Sequence, residues 1–176
     1  MNITQKIKNA IRDVKDFPKK GIIFKDITPI LLDPQLCEEI VDEFVKGIKP
    51  LNPDAIACVE ARGFFFGTLI AQRLQIPFIP IRKQGKLPYD TISHSYDLEY
   101  GSATIEMHDD AIQKGWKVLI HDDLLATGGT ASATAELLLK KEAELVGFSF
   151  LVDLTFLEGK KVLSPYAEKI ISLIEY

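Results

Sequence analysis

Residues 118–130 read V-L-I-H-D-D-L-L-A-T-G-G-T, and their order predicts a strand, a short loop and a helix. The apolar first part is typical of a buried strand, and we expect that strand to end at two adjacent carboxylates, Asp122 and Asp123. Gly128 and Gly129 lack a Cβ atom, so an anion can approach the backbone amides of the loop closely. The segment therefore predicts an anion seat at the carboxyl end of a strand.

The residues around this loop suit a sugar phosphate. Thr127 and Thr130 add hydroxyl donors, and the amides at the N-terminus of the following helix favour negative charge. The first turn of that helix, residues 131–134, carries no acid, which leaves the position open for a phosphate. Asp122 and Asp123 need donors, and the 2′,3′-diol of a ribose offers two. The alternative is an ordinary strand–loop–helix turn with a solvated acidic pair.

Strand-like and helix-like segments alternate along the rest of the chain. Short apolar runs predict strands at residues 55–59, 78–81, 102–107, 118–121, 146–152 and 169–176. Helical spacing of apolar residues predicts helices at residues 3–14, 34–48, 64–74 and 131–141. This alternation predicts an α/β fold, a single Rossmann-like domain over residues 1–176 with a central, mainly parallel sheet flanked by helices.

Ligands of parallel sheets bind outside the carboxyl ends of the strands, which points to a second loop. Arg62 follows the strand at residues 55–59, next to Gly63. Its planar guanidinium suits the oxygens of a pyrophosphate. The alternative is a surface arginine in a salt bridge.

A third loop is the longest stretch without a predicted element, residues 82–101. A loop of that length in a compact domain is typical of an active-site lid, and a lid would keep water away from a cationic ribosyl centre. Arg82, Lys83 and Lys86 would bring positive charge over a pyrophosphate. Taken singly, each could equally be a solvated surface residue.

Composition excludes several classes of protein. The chain has 21 basic and 25 acidic residues and a net charge of −4, so it lacks the broad positive field of non-specific nucleic-acid binders. Its most apolar stretch, Phe64–Ala71, is far shorter than the roughly 20 residues that span a membrane. Two cysteines, Cys37 and Cys58, are typical of buried thiols in a reducing cytosol. We therefore expect a cytoplasmic protein with no nucleic-acid and no membrane partner.

Other signatures of nucleotide and metal sites are missing from the sequence. It contains no G-x-G-x-x-G and no G-x-x-x-x-G-K-[ST], so a dinucleotide site or a P-loop would lack its fingerprint. His94, His108 and His121 do not have the spacing of metal ligands. We expect no metal site built from protein side chains.

Six segments resemble the type I phosphoribosyltransferases, and the adenine-using branch of that family in particular. Residues 118–130 resemble the family's motif for phosphoribosyl pyrophosphate. The other five are F-P-K-K-G-I-I-F-K-D-I-T-P at 17–29, V-E-A-R-G-F at 59–64, I-R-K-Q-G-K-L-P at 81–88, Y-D-L-E-Y-G at 96–101 and D-L-T-F-L-E-G at 153–159. The segment at 17–29 belongs to the adenine branch and is more discriminating than the shared phosphate loop.

The resemblance implies a reaction, a cofactor and an assembly. The reaction is transfer of the 5-phosphoribosyl group from 5-phospho-α-D-ribose 1-diphosphate (PRPP) to N9 of adenine, giving AMP and pyrophosphate. Mg²⁺ is implied as a cofactor bound mainly through the substrate pyrophosphate, and a homodimer is implied as the assembly. Residues 1–33 would form an N-terminal helix and a base-binding hood, and residues 82–104 a flexible catalytic loop.

The resemblance also assigns roles to individual residues. It implies that Glu99 is the acid/base acting on the purine, that Tyr100 packs against the reacting groups, and that Arg62 belongs to the catalytic set. The residues implied for ribose 5-phosphate are Asp122, Asp123, Ala126, Thr127, Gly128, Gly129 and Thr130. Those implied for pyrophosphate are Glu60, Ala61, Arg62, Arg82, Lys83 and Lys86. Those implied for adenine are Ile23, Phe24, Lys25 and Leu157.

The sequence departs from the family pattern at a few positions, and two alternatives stay open. Lys25 stands where arginine is common, Tyr89 and Asp90 replace a glycine-containing pair, and His121 replaces an aliphatic residue. One alternative is a phosphoribosyltransferase for another base, such as hypoxanthine. The other is a regulator that binds the sugar phosphate without turnover, which the lack of a basic recognition helix disfavours.

Overall fold

A computed structural model describes residues 1–98 and 101–176, and within them the chain forms two β-sheets and five α-helices. The strands are β1 (Arg12–Lys15), β2 (Ile23–Asp26), β3 (Ala55–Val59), β4 (Phe78–Lys83), β5 (Thr91–Leu98), β6 (Gly101–His108), β7 (Lys117–Leu125), β8 (Glu144–Asp153) and β9 (Ile170–Glu175). The helices are α1 (Ile3–Ala10), α2 (Pro34–Ile48), α3 (Gly63–Leu74), α4 (Gly129–Leu139) and α5 (Gly159–Leu163). Among the described helices, none has the length and apolar character needed to cross a membrane.

The larger sheet has the strand order β5-β6-β4-β3-β7-β8-β9. β4, β3, β7, β8 and β9 run parallel to one another, while β5 and β6 form an antiparallel hairpin whose strand β6 pairs antiparallel with β4. Because the central strands are parallel, the loops that follow β3, β4 and β7 open at one edge of the sheet. The predicted fold, a central and mainly parallel sheet flanked by helices, is confirmed.

Helices cover both faces of this sheet. Ala55 and Ala57 of β3 lie in the apolar cluster that includes α4, whereas Ile56 and Cys58 lie in the cluster that includes α1, α2 and α3. α3 packs so closely on β3 that a Cβ on Gly67 would lie 2.3 Å from Cys58 Sγ. The central strand is therefore buried on both sides, as its continuous apolar sequence predicts.

The N-terminal segment differs from the prediction. α1 ends at Ala10, so Val14, predicted to be helical, lies in β1 instead. Residues 21–27, for which the sequence predicts neither a helix nor a strand, contain β2, which pairs antiparallel with β1. Helical spacing within one segment cannot show that a second segment will pair with it, and for that reason the predicted helix is too long.

The stretch 82–101, predicted to be irregular, is mostly strand, so that prediction is wrong. β4 continues to Lys83, and β5 pairs with β6 along its length. The irregular part between β4 and β5 is residues 84–90. The sequence T-I-S-H-S-Y alternates polar with larger side chains, which is the pattern of a strand with one buried face. The lid role of this segment stays a prediction.

Candidate active site

The residues predicted from three separate loops meet where β3, β4 and β7 end. A cavity of about 230 Å³ opens there, bounded on one side by the β5–β6 hairpin. The predicted residues that line it are Glu60, Arg62, Arg82, Lys83, Asp122, Asp123 and Thr130. The remaining lining residues are Val59, Ile81, Tyr96, Ala103 and Ile105. The fold thus brings an acidic pair and basic side chains to one cavity.

The acidic pair lies within β7 rather than at its end. The sequence predicts that the strand stops at the pair, but it continues through Asp122 and Asp123 to Leu125 because β8 continues beside it. Asp123 is 3% exposed, and its amide donates a hydrogen bond to Asp122 Oδ1 at 2.8 Å. Two carboxyl groups are therefore fixed by the sheet itself.

Both carboxyl groups have a raised pKa. Burial is the main cause at Asp122, and the charge of Asp123 raises the pKa of Asp122 further. Burial also raises the pKa of Asp123, and the guanidinium of Arg62 opposes that rise. Such a pair is stabilised by donors that approach it from a ligand, and a ribose diol provides two.

Arg62 connects three parts of the site. Its Nε lies 2.9 Å from Asp123 Oδ2, in an ion pair without hydrogen-bond alignment. Its guanidinium carbon lies 4.9 Å from the ring centroid of Phe24. Gly63 follows so close to β7 that a Cβ there would lie 2.9 Å from Asp122 Oδ1. The side chain of Arg62 is 36% exposed, so the guanidinium can exchange Asp123 for an incoming anion.

Glu60 fixes the basic residues at the end of β4. Its Oε2 accepts a hydrogen bond from Arg82 Nε at 2.9 Å, and its Oε1 accepts one from the Lys83 amide at 2.7 Å. Burial alone would raise the pKa of Glu60, but these hydrogen bonds outweigh burial and the pKa lies below its ordinary value. Arg82 also donates to the carbonyl oxygen of Lys86 at 2.9 Å, so Lys86 is tied to the site through its backbone. The peptide bond between Glu60 and Ala61 is cis.

The loop between β7 and α4 forms a second cavity, of about 80 Å³. Its lining includes the whole predicted phosphate seat: Ala126, Thr127, Gly128, Gly129 and Thr130. Gly128 has a φ of +85°, a left-handed conformation that favours glycine. α4 begins at Gly129, two residues earlier than predicted, and ends at Leu139, with no acid in its first turn. The unpaired amides of a helix start therefore lie beside a concave surface, which suits a phosphate.

Two residues outside the predicted set hold segments that lie next to these cavities. Tyr96 Oη lies 3.1 Å from Thr130 Oγ1, so the β5–β6 hairpin is hydrogen-bonded to the phosphate loop. Glu106 is 4% exposed, and its Oε1 accepts hydrogen bonds from the amides of residues 85–87 at 3.1 to 3.2 Å. Tyr96 follows the alternating pattern of β5, but that pattern does not show its partner Thr130. Glu106 lies between buried Ile105 and Met107, so strand alternation does not predict its burial.

The residues predicted to hold a base lie on two elements. Ile23, Phe24 and Lys25 belong to β2, and Leu157 belongs to a short 3-10 helix that follows β8. Ile23 is 54% exposed and Leu157 is 38% exposed, so both have apolar surface available for a ligand. Leu157 lines neither of the two cavities described above.

The side chain of Lys25 is occupied elsewhere. Its Nζ lies 2.7 Å from Asp13 Oδ1 and 3.9 Å from the ring centroid of Tyr176. A lysine in place of arginine therefore leaves the backbone of residue 25 as the part available to a base.

Glu99 and Tyr100 lie outside the described residues. Their implied roles, as acid/base and as a packing residue beside the reacting groups, stay predictions.

His121 is a core residue. It is fully buried, its Nδ1 lies 2.8 Å from Ser149 Oγ, and its ring meets the ring of Phe44 edge-on at 5.1 Å. Burial lowers the pKa of His121 to about 3, so the imidazole is neutral at physiological pH. The family pattern has an aliphatic residue at this position. The imidazole is accommodated in the core by one hydrogen bond to Ser149 of the neighbouring strand.

Comparison with known proteins agrees with this geometry. The family described as "Phosphoribosyl transferase domain" matches residues 28–169. The chain is 58% identical to an adenine phosphoribosyltransferase of Cytophaga hutchinsonii over 174 residues, which is 99% of this chain and 96% of that relative.

Solved structures superpose closely on the chain. The adenine phosphoribosyltransferase of Thermoanaerobacter pseudethanolicus gives a TM-score of 0.94 at 47% identity, covering 98% of this chain and 99% of that one. The adenine phosphoribosyltransferase of Saccharomyces cerevisiae, complexed with D-2,5-dideoxy-2,5-imino-altritol 1,6-bisphosphate and adenine, gives 0.90 at 36% identity, covering 97% and 98%.

Proposed function

The chain belongs to the phosphoribosyltransferase family, and from that premise we propose that it transfers the 5-phosphoribosyl group of PRPP to N9 of adenine, a step of purine salvage. Relatives named for adenine match it over nearly their whole length, and one was solved with adenine bound. The observation that carries the proposal is the cavity in which Arg62 and Arg82 meet the acidic pair Asp122 and Asp123.

The reaction exchanges one bond at C1′ for another. The lone pair of N9 forms the new C–N bond, the bond from C1′ to the pyrophosphate oxygen breaks, and pyrophosphate leaves with that electron pair. The proton of the base is released, giving AMP. Positive charge builds on the ribose and negative charge on the pyrophosphate, so the site must stabilise charges of both signs in neighbouring positions.

The basic residues serve the pyrophosphate. Arg62 and Arg82 can each offer a planar pair of donors to phosphate oxygens, and Lys83 adds a cation at the same edge. Glu60 holds Arg82 and the Lys83 amide in place. When pyrophosphate binds, the guanidinium of Arg62 exchanges its contact with Asp123 for the ligand.

Sugar and 5′-phosphate occupy the β7 side of the site. Asp122 and Asp123 accept hydrogen bonds from the ribose 2′- and 3′-hydroxyls. Residues 126–130 hold the phosphate with backbone amides and two threonine hydroxyls. Each hydrogen bond to such an anion contributes about 1.5 to 3 kcal/mol, so several together anchor the substrate.

The base lies under the N-terminal hood, residues 1–33. Phe24 offers a flat aromatic ring, whose centroid lies 4.9 Å from the guanidinium carbon of Arg62 and 5.2 Å from the ring centroid of Phe17. The backbone beside Ile23 and Lys25 reads the edge of the purine, and Leu157 closes the other face. Within the catalytic loop, residues 82–104, Glu99 handles the purine proton and Tyr100 packs against the reacting groups, as the family resemblance implies.

Mg²⁺ is the cofactor that we propose, and when bound through the pyrophosphate of PRPP it would neutralise part of the charge on that group. The described residues include no group of three or more His, Cys, Asp and Glu side chains that could hold a metal ion. That donor set fits an ion whose ligands are mainly substrate phosphates and water, with Asp122 and Asp123 as the nearby carboxylates.

The assembly and location follow the same reasoning. We propose a homodimer, supported by Phe65 and Leu69, two apolar side chains one turn apart on α3 that are 37% and 39% exposed. We propose a cytoplasmic location, supported by the free thiols of Cys37 and Cys58. The net charge of −4 is consistent with small-molecule substrates and no nucleic-acid partner.

A turnover assay tests the function. Purified protein with Mg²⁺ and PRPP should form AMP from adenine, and hypoxanthine or guanine should react far more slowly because a 6-oxo group reverses the hydrogen-bonding pattern of the 6-amino group. Hypoxanthine or guanine used at least as well as adenine would overturn the base assignment. Binding of PRPP without release of pyrophosphate would instead indicate a regulator.

A further inference from the structure

The backbone of α5 lies directly against the phosphate loop. A Cβ on Gly159, the first residue of α5, would lie 2.4 Å from the carbonyl oxygen of Ala126. A Cβ on Gly128 would lie 3.0 Å from the carbonyl oxygen of Gly159. These two contacts leave no space between the segments, so a shift of residue 159 would displace the loop that holds the 5′-phosphate.

Lys160 fixes the start of α5 to the main sheet. Its Nζ lies 2.8 Å from Asp153 Oδ2, at the end of β8, and 2.7 Å from Glu175 Oε1, at the end of β9. Asp153 is 1% exposed, whereas the side chain of Glu175 is 57% exposed. The contact with Asp153 is therefore the buried anchor, and the contact with Glu175 is its solvated outer partner.

Asp153 depends on this lysine for compensation of its charge. Within residues 1–98 and 101–176, neither carboxylate oxygen of Asp153 accepts an aligned hydrogen bond. An isolated buried carboxylate is costly, so the ammonium of Lys160 is held where it lies. This restraint acts on the residue next to Gly159 and hence on the phosphate loop.

We propose that Lys160 is a positioning residue for the 5′-phosphate seat, acting through its bridge to buried Asp153 and the backbone of Gly159. The inference rests on the proposed function, because the seat is the ribose 5-phosphate part of that site. Lys160 lines neither of the two cavities of the site, so it acts without touching substrate.

The short 3-10 helix before α5, which carries the proposed adenine contact Leu157, is held by other bonds. The amide and Oγ1 of Thr155 both donate to the carbonyl oxygen of Tyr176, at 3.0 and 2.7 Å. These bonds fix the short helix that carries Leu157, and no atom of Lys160 takes part in them. Loss of Lys160 should therefore weaken binding of the sugar phosphate and leave binding of adenine nearly unchanged.

The test compares K160M with K160R and K161M. Lys161 is a matched control, because it is the next lysine of α5 and pairs only with exposed Glu158 within the described residues. We expect K160M to raise the KM for PRPP and the Kd for ribose 5-phosphate, measured by calorimetry, at least about tenfold. The KM for adenine and kcat should stay within about threefold, and K160R and K161M should resemble the wild type.

A double variant separates positioning from stability. D153N/K160M removes both charges, so its melting temperature should recover relative to K160M while its affinity for ribose 5-phosphate stays weakened. It also carries the test if K160M does not fold. The proposal would be overturned if the double variant recovered both stability and affinity, or if K160M bound ribose 5-phosphate as tightly as the wild type. Neither result would count against the proposed function, provided that the wild type is active. A wild type that binds no ribose 5-phosphate would overturn both.

Discussion

The two cavities of the proposed site offer different groups to an anion. The phosphate loop, residues 126–130, offers backbone amides and a helix start, and its shape is set by Gly128 in a left-handed conformation. The larger cavity offers side-chain charges that come from β3, β4 and β7, and these charges pair with one another. The proposed function therefore needs no rearrangement of charges at the first cavity, whereas the second would exchange an internal ion pair for one with the ligand.

This difference predicts different sensitivities. A backbone seat should fail when the backbone conformation changes and should tolerate loss of a side-chain hydroxyl. A side-chain site should respond to the chemistry of each charged group, and to pH. Four measurements test the contrast.

The largest effect is expected for Gly128→Val. A side chain at this position meets a φ of +85° and would place its Cβ 3.0 Å from the carbonyl oxygen of Gly159. Loss of two or more charge-assisted amide contacts should lower kcat/KM for PRPP at least about 100-fold. Steady-state kinetics, with a melting curve to confirm folding, check this, and a folded G128V enzyme with near-normal kcat/KM would contradict the backbone seat.

Arg62→Met should have the next largest effect. It removes a bidentate donor for pyrophosphate and leaves Asp123 without its cation, so kcat/KM for PRPP should fall about 30-fold. Arg62→Lys should recover only part of the loss, because a point charge cannot reproduce the planar fork. Arg73→Met is the control: Arg73 lies on α3, the helix that begins directly after Arg62, and it pairs with Glu38 and Asp42 at the surface. Equal losses for both arginines would remove Arg62 from the site.

The pH dependence of stability separates His121 from the acidic pair beside it. The unfolded histidine binds a proton below about pH 6.5, while burial keeps the folded imidazole neutral down to about pH 3, so His121 makes stability fall as pH falls through that window. The raised pKa values of Asp122 and Asp123 have the opposite effect. Because the folded state then holds protons more tightly than the unfolded state, these groups make stability rise as pH falls.

Replacing His121 and its partner Ser149 together separates the contribution of His121 to this pH dependence from that of the acidic pair. Between pH 4 and 6, the unfolding free energy of the wild type should fall with falling pH more steeply than that of H121V/S149A. The difference in slope should be up to about 1.4 kcal/mol per pH unit, which corresponds to one proton. Urea unfolding at a series of pH values measures the slope. The same slope in the wild type and the double variant would show that the folded histidine titrates normally.

Thr127→Ala should have the smallest effect. Thr127 is exposed, and its hydroxyl is one donor among several amides, so the KM for PRPP should rise no more than about fivefold. Kinetics with saturating adenine measure it. A loss as large as that of G128V would mean that side chains, and not the backbone, carry the phosphate.

The same contrast explains how much the sequence predicted. The phosphate loop and the start of α2 each depend on contiguous residues. The predicted start of α2 at residue 34 is correct, and there the amide of Leu36 donates to Asp33 Oδ1 at 3.0 Å. Arg62 was predicted from its place after a strand and the family resemblance, but its pairing with Asp123 was not. Features that depend on neighbouring residues of one segment can be predicted from the sequence of that segment. Contacts between distant segments leave no such local pattern.

The missed features are all contacts of this second kind. The β1–β2 pairing, the hydrogen bond between Tyr96 and Thr130, and the packing of Gly159 on Ala126 each join segments far apart in the sequence. The extension of β7 through the acidic pair likewise depends on β8 beside it. Each required the fold before it could be recognised.

A crystal structure with ribose 5-phosphate tests the central claim most directly. The account predicts phosphate oxygens within hydrogen-bond distance of the backbone amides of residues 127–130, and ribose hydroxyls on Asp122 and Asp123. A phosphate bound only by the basic side chains Arg62, Arg82 or Lys83, with the glycine loop making no contact to it, would contradict the account.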